Sequence, residues 1–137
     1  MKTTFFTNNF LLCGALGWCL EIFWTGLHSM QKGKKDLMGQ SSLWMFPIYG
    51  CASVIAPLSR IYKNCSRFVR GCIYMLHIFA GEYIFGCLLK KYEMCPWDYS
   101  KSKFHVNGVI RLDYAPLWFI TGLFYENLLN KTKMNSP

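Results

Sequence analysis

The sequence predicts an all-α integral membrane protein. It reads as a single domain over residues 1–137, with four transmembrane helices near 5–29, 42–62, 70–90 and 112–130. Two observations carry that reading. Hydrophobic residues make up 53% of the chain and charged ones only 16%, against roughly a quarter in an average soluble domain. Lys and Arg outnumber Asp and Glu by 15 to 7 over the whole chain, and the basic residues are concentrated between long apolar stretches.

A helix needs about 20 mostly apolar residues to cross a bilayer. The stretch from Phe5 to His28 holds one charge, Glu21. It is longer than a secretory h-region and is interrupted by that glutamate, so it is expected to be a span rather than a cleaved signal. Ser42 to Ser59 holds no charge, with Pro47 in the early turns where a missing N–H costs little. Gly71 to Leu89 holds only Glu82, with His77 near its middle. Leu112 to Leu129 holds Asp113 at its start and Glu126 near its end. The gaps contain Lys32, Lys34 and Lys35, then Arg60, Lys63, Arg67 and Arg70, then Lys90, Lys91, Lys101 and Lys103. This alternation is the pattern of a multi-pass protein. Four spans place both termini on one side, but the basic residues divide seven against eight between the sides, so they set no orientation.

The composition also excludes classes. Disorder requires low hydrophobicity. The seven Cys are odd in number and mostly lie in apolar runs, which argues against a disulfide scaffold. There is no CxxC and no Cys/His zinc spacing, and the three His make no metal set, so neither a metal nor a cofactor is expected. The basic residues alternate with membrane spans, so nucleic acid is not an expected partner; membrane lipids are.

The two halves resemble each other. Glu21-Ile-Phe-Trp-Thr-Gly-Leu precedes Lys34-Lys35, and Glu82-Tyr-Ile-Phe-Gly-Cys-Leu precedes Lys90-Lys91. Leu43-Trp44 with Gly50, and Leu117-Trp118 with Gly122, follow in the paired positions. A tandem repeat of two helical hairpins would look like this, and transporter sites often lie at repeat interfaces.

Carboxylates inside an apolar span are costly and usually mark a site. Glu21 and Glu82 each lie about seven residues before the end of their spans, roughly 10 Å inside the boundary. The first and third spans run in the same direction, so the two acids are expected to share one cavity. Two carboxylates close together in a low dielectric cannot both ionise easily, so one of them would keep its proton. Glu21, Thr25 and His28 fall on one stripe of the first helix. Glu126 reads as an interfacial residue near its helix end, and His77 as a hydrogen bond between helices. Trp44 and Tyr49 follow the first loop. Trp97, Asp98, Tyr99, Asn107 and Asp113 lie in the second, where Pro96 and Asp98 favour a turn. Such polar and aromatic loops are expected to cap the cavity. The candidate substrate- or proton-binding residues are thus Glu21, Glu82, Trp44, Tyr49, Trp97, Asp98, Tyr99, Asn107 and Asp113.

The string Cys95-Pro-Trp-Asp-Tyr-Ser, followed by Gly108-Val-Ile-Arg-Leu-Asp-Tyr-Ala-Pro-Leu-Trp118, resembles the transmembrane protein 229 family of animals. It also resembles the bacterial membrane proteins grouped as putative ABC-transporter type IV, or CmpB-like. Gly17-Trp-Cys-Leu-Glu21, Leu43-Trp-Met-Phe-Pro-Ile-Tyr-Gly50 and Glu82 fit the same pattern, which covers nearly the whole chain. The resemblance implies a small multispan protein of the bacterial cell membrane and brings no catalytic residues with it.

Three functions follow. The first is a permease-like transport component with a polar intramembrane site around Glu21 and Glu82. The chain has no G-x-x-x-x-G-K-[ST] phosphate loop, so an ATPase would be a separate subunit, and four short helices would need a homo-oligomer to enclose a pathway. The second is an intramembrane lipid-modifying enzyme using its acids, for which no nucleophile is evident. The third is a non-catalytic accessory or assembly protein in which the polar residues hold helices together.

Overall fold

The computed structural model describes residues 2–134. It is mostly helical, and the chain divides into two compact units between Ala52 and Ser53.

The first unit is a helical hairpin. Helix α1 covers Lys2–Gln31 and α2 covers Met45–Gly50. With 30 residues, α1 is about 45 Å long, more than the hydrocarbon thickness requires. It ends in a Schellman turn: Gly33 takes φ +80° while its N–H reaches Met30 O and the Lys34 N–H reaches Ser29 O. The chain then folds back along α1. Thr25 Oγ1 both donates to Gln40 O (3.0 Å) and accepts from Gln40 N (2.8 Å). Gly39 lies so close to the Ile22 carbonyl that a side chain there would collide with it. Phe46 in α2 packs edge-on against Phe10 and Trp18, with ring centroids 6.5 and 6.1 Å apart.

The second apolar run is not one continuous helix. After α2 the chain makes a 3-10 turn at Cys51–Val54 and continues as α3, Ile55–Ile61. Pro57 accounts for the break. Its ring is incompatible with the carbonyl four residues earlier, at Ser53, and it has no N–H to offer that carbonyl.

In the second unit, α4 (Arg67–Lys91) and α5 (Ala115–Met134) form another hairpin. Ser66 caps α4 by accepting from Val69 N. The helices approach at Gly122, where a Cβ would stand 2.5 Å from that of Tyr74, and at Gly71, which receives the Phe119 ring. Between them lies a small two-stranded hairpin, β1 (His105–Val106) and β2 (Ile110–Arg111), antiparallel with Val106 opposite Ile110. Asn107 (φ 50°) and Gly108 (φ 69°) make its turn, the left-handed pair that a tight hairpin needs.

Two helices, over Phe6–Gln31 and Arg67–Lys91, are long and apolar enough to cross a membrane. The run Met45–Ile61 is shorter. The fourth expected span, 112–130, begins as a 3-10 turn at Leu112–Tyr114, and its helix runs on to Met134.

Candidate functional site

Glu21 sits ten residues before the end of α1, about 15 Å along the helix, deeper than the sequence spacing implied. The returning loop brings Ser41 to it, and α2 brings Tyr49; both hydroxyls address the Glu21 carboxyl. Its other oxygen, Oε2, is buried and has no hydrogen-bond partner among the described residues. The Trp18 indole nitrogen, one turn earlier in α1, is buried in the same condition. Thr25, on the same stripe, is taken up in holding the loop. Trp44 and His28 are exposed, Trp44 as the residue preceding α2.

Glu82 sits nine residues before the end of α4. Tyr99 Oη donates to its Oε1 at 3.4 Å, and the Trp118 indole of α5 comes up to the same carboxyl. Glu82 Oε2 and Trp118 Nε1 are nevertheless buried without a well-formed hydrogen bond among the described residues. An aromatic ladder leads outward from this point. Tyr99, Tyr114 and Trp118 meet edge to face at 5.9 and 6.1 Å, and the Arg111 guanidinium lies 4.4 Å over Tyr114.

The residues between α4 and α5 form a folded cap on this hairpin. Trp97 Nε1 donates to Val109 O (2.9 Å), and its ring lies beside Gly86 of α4. Tyr99 N donates to Gly108 O at 2.8 Å. Asn107 Nδ2 donates to Tyr83 Oη at 2.9 Å, and Lys90 Nζ donates to Asn107 O at 3.0 Å. Asp98 accepts from the Ser100 N–H and hydroxyl, which holds its carboxyl below the usual carboxylate range. Asp113 pairs with Arg111 at 2.6 Å, which lowers the acid and raises the guanidinium. The expected cap residues therefore divide. Tyr99 reaches an acid, whereas Trp97, Asp98, Asn107 and Asp113 build the cap that holds Tyr99.

Two expectations are corrected. Glu126 does not face water or headgroups. It is buried, with Arg70 Nε 2.8 Å and Tyr74 Oη 3.0 Å from its Oε1. Arg70 counts as a loop cation in the sequence because it precedes the apolar run; its Nη1 donates to Cys65 O at 2.7 Å. His77 does not bridge helices: its Nδ1 lies 2.8 Å from Ile73 O of its own helix. Sequence reasoning also left Ser41 and Trp118 out of the site. Trp118 had a signal, its place in the Leu-Trp pair of the second half. Ser41 had none, because its position depends on the fold-back of the loop.

Each unit thus presents one carboxyl inside a helical hairpin, with a hydroxyl donor near it and one buried oxygen that lacks a well-formed hydrogen bond among the described residues. Such a group can take a proton or accept a hydrogen bond from a ligand. Among the described residues, no group of three or more His, Cys, Asp or Glu could hold a metal ion.

The family model described as Putative ABC-transporter type IV matches residues 8–136. The chain belongs to that family. No solved structure matches it. Both acid sites and the whole cap lie within the matched residues. Family membership and the two membrane-length apolar helices together make this an ABC-transporter-related membrane protein.

Proposed function

We propose that this member of the ABC-transporter type IV family is a permease-like component of a bacterial cell-membrane transport system, with Glu21 and Glu82 as its polar intramembrane binding points. In this reading the chain crosses the membrane four times as a tandem repeat of two hairpins, one acid per hairpin. The short α2–α3 run and α5 complete the spans that α1 and α4 begin. An ATPase would be a separate subunit, and copies of the chain would associate to enclose a pathway.

One observation carries the reading. In both hairpins a glutamate is met only by neutral hydroxyl or indole groups, and one of its buried oxygens has no well-formed hydrogen bond among the described residues. The helix-holding acid Glu126 has a cationic partner, whereas a buried polar atom left poorly paired costs about 1–3 kcal/mol. An acid that binds a passing proton or ligand must keep one available. The broken helix at Cys51–Val54 adds support, because irregular backbone at membrane depth is tolerated where it borders protein or a polar cavity.

The test is complementation of a deletion strain. Glu21→Gln and Glu82→Gln should insert at wild-type levels and fail to restore the phenotype. Full restoration by both would reject the proposal and favour an accessory role in which the acids only join helices.

A further inference from the structure

The cap carries a second feature that the acid sites do not use. Beside the Tyr99–Tyr114 contact lies an open cleft of about 550 Å³, lined by Lys101, Lys103, Phe104, Arg111 and the two acids Asp98 and Asp113. The acids are already engaged. Asp98 accepts twice from Ser100, and Asp113 is paired with Arg111. The lysines are held more loosely: among the described residues neither ammonium makes an ion pair or hydrogen bond, Lys101 attracts Asp98 only through its charge, and Lys103 overhangs the Phe104 ring at 5.7 Å. The cleft therefore has two ammonium groups with no hydrogen bond of their own, beside an Arg111 held by Asp113 and Tyr114.

Its position narrows the occupant. The cap starts directly after Lys91, where the membrane-length helix α4 ends. If α4 spans the membrane, the chain that lines the cleft follows directly on the end of a span. Phe104 is 56% exposed and Leu112 49%, so apolar side chains project at the same level as the cations. Cations with exposed apolar groups beside them match a phosphate joined to acyl chains better than a free anion, which would gain nothing from Phe104 or Leu112.

We propose that this cleft binds the phosphate of an anionic phospholipid headgroup, with Lys101 and Lys103 contacting the phosphate and Phe104 lying along the acyl chain. Tyr99 lines the cleft and also reaches Glu82, but Lys101, Lys103 and Phe104 touch neither acid, so the lipid assignment is tested separately from the transport reading.

The experiment measures the thermal stability of detergent-purified protein titrated with phosphatidylglycerol, phosphatidylcholine or inorganic phosphate. Phosphatidylglycerol should raise Tm and the other two should not. In Lys101→Ala/Lys103→Ala the concentration of phosphatidylglycerol needed should rise about thirtyfold, because two basic contacts to an anionic surface are lost. The control Lys131→Ala/Lys133→Ala removes the same charge from the end of α5 and should leave the titration unchanged. Should the cleft variant prove unstable, Lys101→Arg/Lys103→Arg should retain the wild-type titration, and Phe104→Ser should weaken it with all charges in place. An equal rise with inorganic phosphate would overturn the lipid assignment in favour of a free anion. Equal losses in the cleft and control variants would show charge attraction without a site.

Discussion

Arg70 Nε stands 2.8 Å from Glu126 Oε1, although 56 residues separate them in sequence. Tyr74 donates to the same oxygen. Three glutamates lie in the long helices of this protein, and this pairing distinguishes them. Glu126 has a cation and a hydroxyl, so structural stability alone explains it. Glu21 and Glu82 have hydroxyls, no ion pair among the described residues, and one buried oxygen each that is unsatisfied. That contrast is the ground for assigning them a function.

The Arg70–Glu126 pair should behave as a buried ion pair, with side chains only 21% and 7% exposed. Removing one partner leaves the other charge buried and uncompensated. Arg70→Met alone should therefore destabilise the protein by about 3 kcal/mol. The double variant Arg70→Met/Glu126→Leu should recover much of that loss. Chemical or thermal unfolding in detergent measures both, and a double variant as unstable as the sum of the single ones would contradict the pairing.

Two glycines of the second unit should respond oppositely to the same substitution. A Cβ at Gly122 would stand 2.5 Å from Tyr74 Cβ, which is fixed to the backbone of α4 and cannot swing away. Gly122→Ala should cost about 1–3 kcal/mol by forcing the helices apart. A Cβ at Gly81 would meet nothing within 4 Å, so Gly81→Ala should gain roughly 0.5–1 kcal/mol from helix propensity. Tm values of the two variants, shifted in opposite directions, are the check.

The cap should be acid-sensitive. Asp98 is lowered by the Ser100 N–H and hydroxyl, and Asp113 by Arg111. A depressed carboxylate contributes stability above its unfolded value, near 3.9 for Asp, and loses it as pH falls through the lower folded value. Asp98→Ala/Asp113→Ala should therefore melt below wild type at pH 7, and the difference should start to shrink as pH falls below about 3.9 and be gone only below the lower folded values. A difference constant across that range would mean that these carboxylates do not hold the cap through their charge.

The helical character and the two membrane-length helices were legible in the sequence, because long apolar runs are visible in composition alone. Glu21 and Glu82 stood out for the same reason: a charge in an apolar run needs no partner to be noticed. Some of their neighbours were legible too, Tyr49 and Tyr99 through the loops that carry them. What was not legible depends on chain reversal. Ser41 reaches Glu21 only because Gly39 lets the loop lie on Ile22 and Thr25 ties it there. Arg70 looked like a loop cation because periodicity cannot reveal a partner on another helix. The break at Cys51–Val54 did have a signal, Pro57, hidden by the uniformly apolar run around it.

The most direct test sets one substitution at two sites of a single hairpin. Glu82→Gln and Glu126→Gln both exchange a buried acid for its amide. If Glu82 is kept for function, its amide variant should stay within about 1 kcal/mol of wild-type stability, since Tyr99 still finds an oxygen to donate to. It should nonetheless fail to complement the deletion strain. Glu126→Gln should lose at least about 2 kcal/mol, because Arg70 loses its counter-charge. Stability and complementation measured together on these two variants decide the matter. A Glu82→Gln protein that is stable and fully active, or one that unfolds as Glu126→Gln does, would contradict a functional role for Glu82.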